Sequence, residues 1–222
     1  MAAAFAAVLT LSAAAAAPPI PLSPAATETL LGDVSRRMGA VRSFEADFTQ
    51  EHHLSLYLDV LRARGVSYFQ APDRFRWELL EPYRSILVYN RTRVAKFEDR
   101  DGKMRFVDSG AYDVIRGLMG QMTGWMRGDF QAARDSFAMR ALEGSDYEIE
   151  LTPRSREMLT YIQRIEVHLK KEPLQVSRIV IREPEQDYIE IRFGTVRENV
   201  ALRGEFFDTK SPLATQTSRE TR

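Results

Sequence analysis

Few side chains in this 222-residue chain have the type and spacing to do chemistry. It has three histidines, His52, His53 and His168, and no cysteine. The lack of Cys excludes disulfides, thiolate-held zinc, iron–sulfur clusters, a thiol nucleophile and a Cys-linked lipid anchor. Adjacent His52 and His53 point to opposite faces of a strand and cannot share a metal there. His168 falls on the charged phase of an alternating segment and reads as exposed. The acidic pairs Asp99/Asp101 and Glu148/Glu150 sit at a turn or on a polar strand phase, where a solvated face accounts for them. No Gly-x-Ser-x-Gly, His-Glu-x-x-His, phosphate loop or dinucleotide fingerprint occurs. The basic group Arg62, Arg64, Arg74, Arg76, Arg84, Arg91 and Arg93 is offset by Asp73, Glu78 and Glu81; it reads as the mixed-charge exterior of a sheet, with contact to a lipid headgroup or an acidic partner as the alternative. This inventory predicts no catalytic residue, no metal and no cofactor. Lys plus Arg and Asp plus Glu number 31 each, and a net charge of zero argues against a nucleic-acid partner.

The elements that hold these residues are mostly short strands. The first charged side chain is Glu28; ahead of it, ten alanines between Ala2 and Ala17 surround Phe5, Val8, Leu9 and Leu11. That run is short for a membrane span and ends in Ala-x-Ala, so residues 1–17 read as a signal peptide. Four prolines mark residues 18–26 as a linker. Thr27–Val41 reads as a helix capped by Thr27, with Leu30, Leu31, Val34, Met38 and Val41 on one face. From Phe44 onward the apolar period is two: Phe44/Ala46/Phe48, Leu54/Leu56/Leu58, Val66/Tyr68, Phe75/Trp77/Leu79, Ile86/Val88, then the Asp101-Gly102 hairpin. It resumes at Tyr147/Ile149/Leu151, Ile165/Val167/Leu169, Leu174–Ile181 and Ile189/Ile191/Phe193. One segment departs from this rhythm. Ile115, Leu118, Met119, Met122, Trp125 and Met126 recur at helical spacing, punctuated by glycines, within a helical insert at about residues 111–136. The expected fold is α+β but mainly β: an antiparallel sheet or barrel with one apolar and one charged face, followed by a flexible tail at 211–222.

Phe44-x-Ala46-x-Phe48-x-Gln50 followed by Gly65, then Pro72-x-x-Phe75-x-Trp77 and Pro82, resembles the outer-membrane lipoprotein carrier family, LolA. Tyr147-x-Ile149-x-Leu151-x-Pro153, Ile165-x-Val167-x-Leu169, Ile179-x-Ile181, Ile189-x-Ile191-x-Phe193 and Asn199 continue the resemblance in order. It implies one carrier domain over 27–210: an incomplete antiparallel β-barrel of about 9–11 strands, its apolar concave face covered by helices. It implies a periplasmic carrier of acylated lipoproteins that takes cargo from an inner-membrane donor complex to an outer-membrane acceptor. The chain is expected to be a monomer and not an enzyme. The expected lipid-binding residues are Phe48, Tyr68, Phe75, Trp77, Leu79, Ile86 and Val88 on the sheet, and Leu118, Met119, Met122, Trp125 and Met126 on a lid. Many family members carry an Arg just before Pro72, where it latches the cover; here that position is Ala71. The alternative reading is a module on the same scaffold that senses lipid or lipoprotein without transporting it.

Overall fold

A computed structural model describes residues 18–57, 59–91, 93–107 and 130–210. Residues 1–17, read as a signal peptide, residues 211–222, read as a tail, and the expected lid residues Leu118, Met119, Met122, Trp125 and Met126 lie outside them. The elements in order are β1 (Ile20–Pro21), α1 (Pro24–Gly39), β2 (Ser43–His53), β3 (Leu61–Gln70), β4 (Arg74–Glu81), β5 (Ser85–Asn90), β6 (Arg93–Arg100) and β7 (Lys103–Val107). Then follow α2 (Phe130–Ser136), β8 (Phe137–Glu143), β9 (Tyr147–Pro153), α3 (Arg156–Leu159), β10 (Arg164–Lys171), β11 (Leu174–Arg182) and β12 (Tyr188–Glu198). The strands form one twelve-stranded sheet in the order β1-β8-β9-β10-β11-β12-β2-β3-β4-β5-β6-β7, antiparallel throughout. Its edges are β1 and β7, so the sheet is open, in keeping with an incomplete barrel.

The helix begins earlier than its sequence suggests. Ser23, not Thr27, is the N-cap: its hydroxyl accepts from the Ala26 N–H, and Pro24 takes the first turn, where its missing N–H costs nothing. The segment read as a linker is therefore ordered. Ile20 and Pro21 pair with Glu143 and Leu142 of β8, and the Leu22 N–H donates to the Ala141 carbonyl at 2.9 Å. Leu30, Leu31 and Val34 of α1 pack on Ala141, Ile149, Leu151, Ile165, Val167 and Leu169. Each such aliphatic side chain contributes about 1.5–3 kcal/mol on burial. The face of the sheet that receives α1 is called the inner face below.

Two further differences come from chain reversal and from a missed strand. Leu54 and Leu56 do not extend β2, and Leu58, read with them, lies outside the described residues. The chain must turn there to bring Leu61 opposite His52, so the apparent alternation is hairpin connection. Phe137–Glu143 is a strand whose short run Phe-Ala-Met-Arg-Ala-Leu-Glu carries little β-branched content to announce it. The Asp101-Gly102 hairpin is as expected, with φ of 57° and 75° at the two turn residues, where glycine serves without steric penalty.

Candidate functional site

The site is assembled by register. Phe44, Ala46 and Phe48 of β2 stand opposite Phe69, Ser67 and Gly65 of β3; these face Phe75, Trp77 and Leu79 of β4. On the other side, Phe48 faces Phe193 and Ala46 faces Val196 of β12. Because side chains alternate strictly, all of these lie on the inner face. Phe48 stacks on Trp77 with ring centroids 3.7 Å apart, and Phe193 meets Trp77 edge-on at 6.4 Å. Gly65 makes this stack possible. A Cβ there would fall 2.4 Å from the Phe48 ring and 2.2 Å from the Glu78 carbonyl oxygen.

Between this aromatic cluster and α1 lies an apolar cavity of about 140 Å³. Its roof is Val34 and Met38 of α1 with Val41. Its floor comes from β10 and β11 (Ile165, Val167, Leu169, Val176, Ile179, Ile181) and from Ile191, Phe193, Phe44 and Ala46. Val176, Ile179, Ile181, Phe193, Phe44 and Trp77 are only half-buried, so apolar surface remains available beside the cavity. The roof is pinned near both ends by ions: Arg37 donates to both Glu198 carboxylate oxygens at 2.6 and 2.7 Å, and Arg134 of α2 meets Glu28 at 2.5 Å. Beyond α1, the Arg42 N–H donates to Asn199 Oδ1 at 2.8 Å and Ser43 Oγ to the Val200 carbonyl at 2.5 Å. A second, more open and more polar depression lies at the opposite end of β3, bounded by Arg42, Ser43, Gln70, Ala71 and Pro72. Ala71 offers no side-chain donor there. Its own N–H donates to the Arg42 carbonyl at 2.8 Å.

The seven expected sheet residues do not share one face. Phe48, Phe75, Trp77 and Leu79 come together on the inner face. Tyr68, Ile86 and Val88 lie on the outer face, because Tyr68 pairs with Arg76 and not with Trp77, and Ile86 and Val88 pair with Glu78 and Arg76. There they pack with Val66, Ala95, Phe97, Phe206 and Phe207. The cause is that β3 and β5 are apolar on both faces (Tyr68 beside Phe69, Val88 beside Tyr89), so alternation alone cannot set their phase. The C-terminal segment supplies the cover. Arg76 and Glu78 are on the outer face as expected, yet they are not exterior: Arg76 is fully buried, donating to Glu78 at 2.9 Å and to the Phe206 carbonyl at 3.1 Å. Arg84 completes the group on the other Glu78 oxygen at 2.9 Å. Conversely, β10, β11 and β12 line the site although none of their residues is among those expected from sequence, where β10 and β12 show clear alternation and β11 shows only an apolar run. Alternation marks their apolar phase but not that α1 lies across it.

The outer face of β8–β12 is a ladder of ion pairs. Arg164 and Arg182 bind Glu166 at 2.7 and 3.0 Å, Arg140 binds Glu150, and Arg178 reaches Glu190 at 3.3 Å and His168 at 3.0 Å. Glu148, Glu166 and His168 bring donor atoms within 4.8 Å of one another. Arg164, Arg178 and Arg182 already occupy that space with positive charge, so the cluster is satisfied as an ion network. His168, read as exposed, is half-buried. Burial holds it below its ordinary value, and Arg178 adds to the effect. Burial, then the Glu166 carboxylate, raises Glu148.

An open antiparallel sheet with a helix laid over an apolar cavity on its inner face defines the class: a helix-covered half-barrel. The chain belongs to the outer membrane lipoprotein carrier protein LolA family, which matches residues 39–210. It is 28% identical over 127 residues to an outer-membrane lipoprotein carrier protein of Methylococcus capsulatus, an alignment covering 54% of this chain and 56% of that one. The match thus spans little more than half of the relative's length. Similar solved structures include a LolA superfamily protein from Nitrosomonas europaea (9% identity, 83% of this chain and 98% of that one, TM-score 0.45). Another is MucB in the Pseudomonas aeruginosa MucA/MucB complex (16% identity, 80% and 60% covered, TM-score 0.43).

Proposed function

We propose that this chain is a periplasmic carrier that binds the acyl chains of lipoproteins, or of a related exported lipid, and shuttles them toward the outer membrane. The observation that carries this reading is the apolar cavity beneath α1, continuous with the half-buried aromatic floor around Trp77. An acyl chain needs such a place because each CH₂ exposed to water costs about 0.8 kcal/mol, on the order of 10 kcal/mol for one long chain. The cavity, at about 140 Å³, is below the roughly 300–1,000 Å³ of ready-made ligand sites, so loading requires α1 to lift from the sheet. The ligand's contacts with Ile179, Ile181 and Phe193 then replace those of the roof. The second part of the cover is the stripe Leu118, Met119, Met122, Trp125 and Met126, whose Met content suits varied chains. The protein works as a monomer, without catalysis, between a donor at the inner membrane and an acceptor at the outer one.

Binding of a fluorescent fatty acid, with its transfer to acceptor vesicles, tests the proposal. The parent should bind and release to vesicles. Met38→Glu, on the cavity roof, should lose binding while staying folded, and Met122→Glu should do the same if the stripe is a lid. Tight binding without transfer would favour the non-transporting lipid sensor. Absence of binding by the parent would end the carrier reading.

A further inference from the structure

Nine large hydrophobic side chains are conspicuously exposed among the described residues, and seven of them lie at one end of the sheet. The strand register places them. The β2–β3 connection presents Leu56 and Tyr57, 85% and 67% exposed, with Leu61 opposite His52 at the base of the hairpin. β4 runs antiparallel to β3, so the last residues of β4 and the β4–β5 turn emerge at this same end and present Leu80 and Tyr83, the latter 83% exposed. β10 begins here too, since Arg164 pairs with Arg182 and Arg182 with Tyr188, which faces His53; the α3 connection ahead of it presents Leu159 and Tyr161. Among the described residues, the opposite end, with the turns at 71–73, 144–146 and 172–173, shows only Ile20. The remaining one, Phe106, is on edge strand β7.

We infer that this rim is a membrane-docking surface that sits in the interfacial layer of a lipid bilayer. Leu and Tyr are the side chains that gain from that layer, the first by burying hydrocarbon, the second by keeping its hydroxyl at the headgroups. Three separate tips carry them, with Asp59, Glu81, Arg84, Arg156 and Glu157 in between. A protein partner would need one contiguous, desolvated patch, whereas a fluid bilayer accommodates isolated protrusions. Charges of both signs stand among the tips, so the attraction is apolar and not electrostatic. The rim is also continuous with the cavity. Ile165 and Ile181, part of its floor, are one residue in from the strand ends Arg164 and Arg182. An acyl chain leaving the bilayer at this rim meets the cavity floor directly. The docking geometry stands by itself; only its use in loading rests on the carrier reading.

Flotation of the full chain with vesicles of phosphatidylethanolamine and phosphatidylglycerol tests the inference. The parent should float with the vesicles, equally at about 0.1 and about 0.5 M salt, where surface electrostatics are screened. Leu56→Asp combined with Tyr83→Ser should reduce the bound fraction about tenfold or more, and Ile20→Ser at the far end should leave it unchanged. Both substituted rim side chains are highly exposed, so melting temperature and fatty-acid binding should stay at the parent's level. A parent that fails to float, a rim variant that floats like the parent, or binding abolished by salt would each overturn the inference. In the first case the rim would belong to a protein partner. Flotation with no fatty-acid binding would instead sink the carrier reading and leave the docking rim standing.

Discussion

At the scale of residues, the sheet uses its charged groups inside as well as outside. The Arg76–Glu78–Arg84 group shows the consequence of burying ions: Glu78 satisfies two guanidiniums at once, and its side chain is 3% exposed. Glu78→Gln would leave Arg76 buried against a neutral amide. Breaking such a pair costs about 3–5 kcal/mol, and urea unfolding should show a drop of that size. Gly65→Ala should cost about 1–3 kcal/mol by overpacking, because its Cβ would meet both Phe48 and the Glu78 carbonyl; the same titration checks it. His168 adds a pH dependence with a definite sign. Its folded pKa lies below the ordinary 6.5, so the unfolded chain takes up a proton that the folded chain refuses. Stability must then fall as pH drops from 6.5 toward the folded value. Glu148, raised above 4.5, works in the opposite direction, since protonation favours the folded form. Glu166 acts lower. Burial pushes it up, but hydrogen bonds from Arg182 and Arg164 outweigh that and hold it below 4.5, so its contribution is lost only in stronger acid. Denaturation of His168→Gln across pH should therefore show the decline just below 6.5 removed and the decline below 4.5 kept. An unchanged curve just below 6.5 would show that His168 titrates alike in both states.

At the scale of elements, the carrier reading proposed above makes α1 the part that must move. It is held by a modest apolar stripe and two partly exposed ion pairs, which is a weak attachment compared with the ladder beneath it. Arg37→Met should free the C-terminal end of the helix. The expected outcome is faster fatty-acid uptake in stopped-flow fluorescence with a stability loss below about 1 kcal/mol, the size of a partly exposed pair. Slower or unchanged uptake would show that this end is not where the roof opens. The stripe itself was legible in sequence, since Leu30, Leu31, Val34 and Met38 recur at helical spacing. Its start was not, because Pro18–Pro24 reads as a break when Pro24 in fact begins the helix. Among strands, β10 and β12 were legible because one phase is aliphatic and the other charged. The phase of β3 and β5 was not, because Phe69 and Tyr89 are as apolar as Tyr68 and Val88, and what settles their faces is a turn more than a hundred residues downstream. No local signal contains that information.

At the scale of the whole molecule, the described residues bury three apolar clusters, two on the inner face (one beneath α1, one around Phe69, Phe75 and Tyr89 of β3–β5) and one on the outer face. Residues 20–39 cover the inner face over β8–β11, and the C-terminal segment covers the outer face over β3–β6. That segment is fixed by polar as well as apolar contacts: Arg76 donates to the Phe206 carbonyl, Asn90 donates to the Phe207 carbonyl at 3.0 Å, and Phe206 stacks on Tyr68 at 5.3 Å. Its place in the fold answers a difficulty specific to a binding half-barrel. Strands apolar on both faces would offer cargo, or a second copy of the chain, two surfaces instead of one. On the carrier reading proposed above, seating Phe206 and Phe207 closes the outer face over β3–β6 and leaves exchange to the inner face. Phe207→Ala should therefore cost about 3–5 kcal/mol, as a fully buried aromatic does. Its effect on fatty-acid affinity should nevertheless be less than about twofold, because sites on separate faces with no shared partners act additively. Isothermal unfolding and ligand titration on the same folded variant read both quantities. Affinity falling together with stability would show that the two faces are mechanically one, and that the outer cover belongs to the binding machinery as much as α1 does.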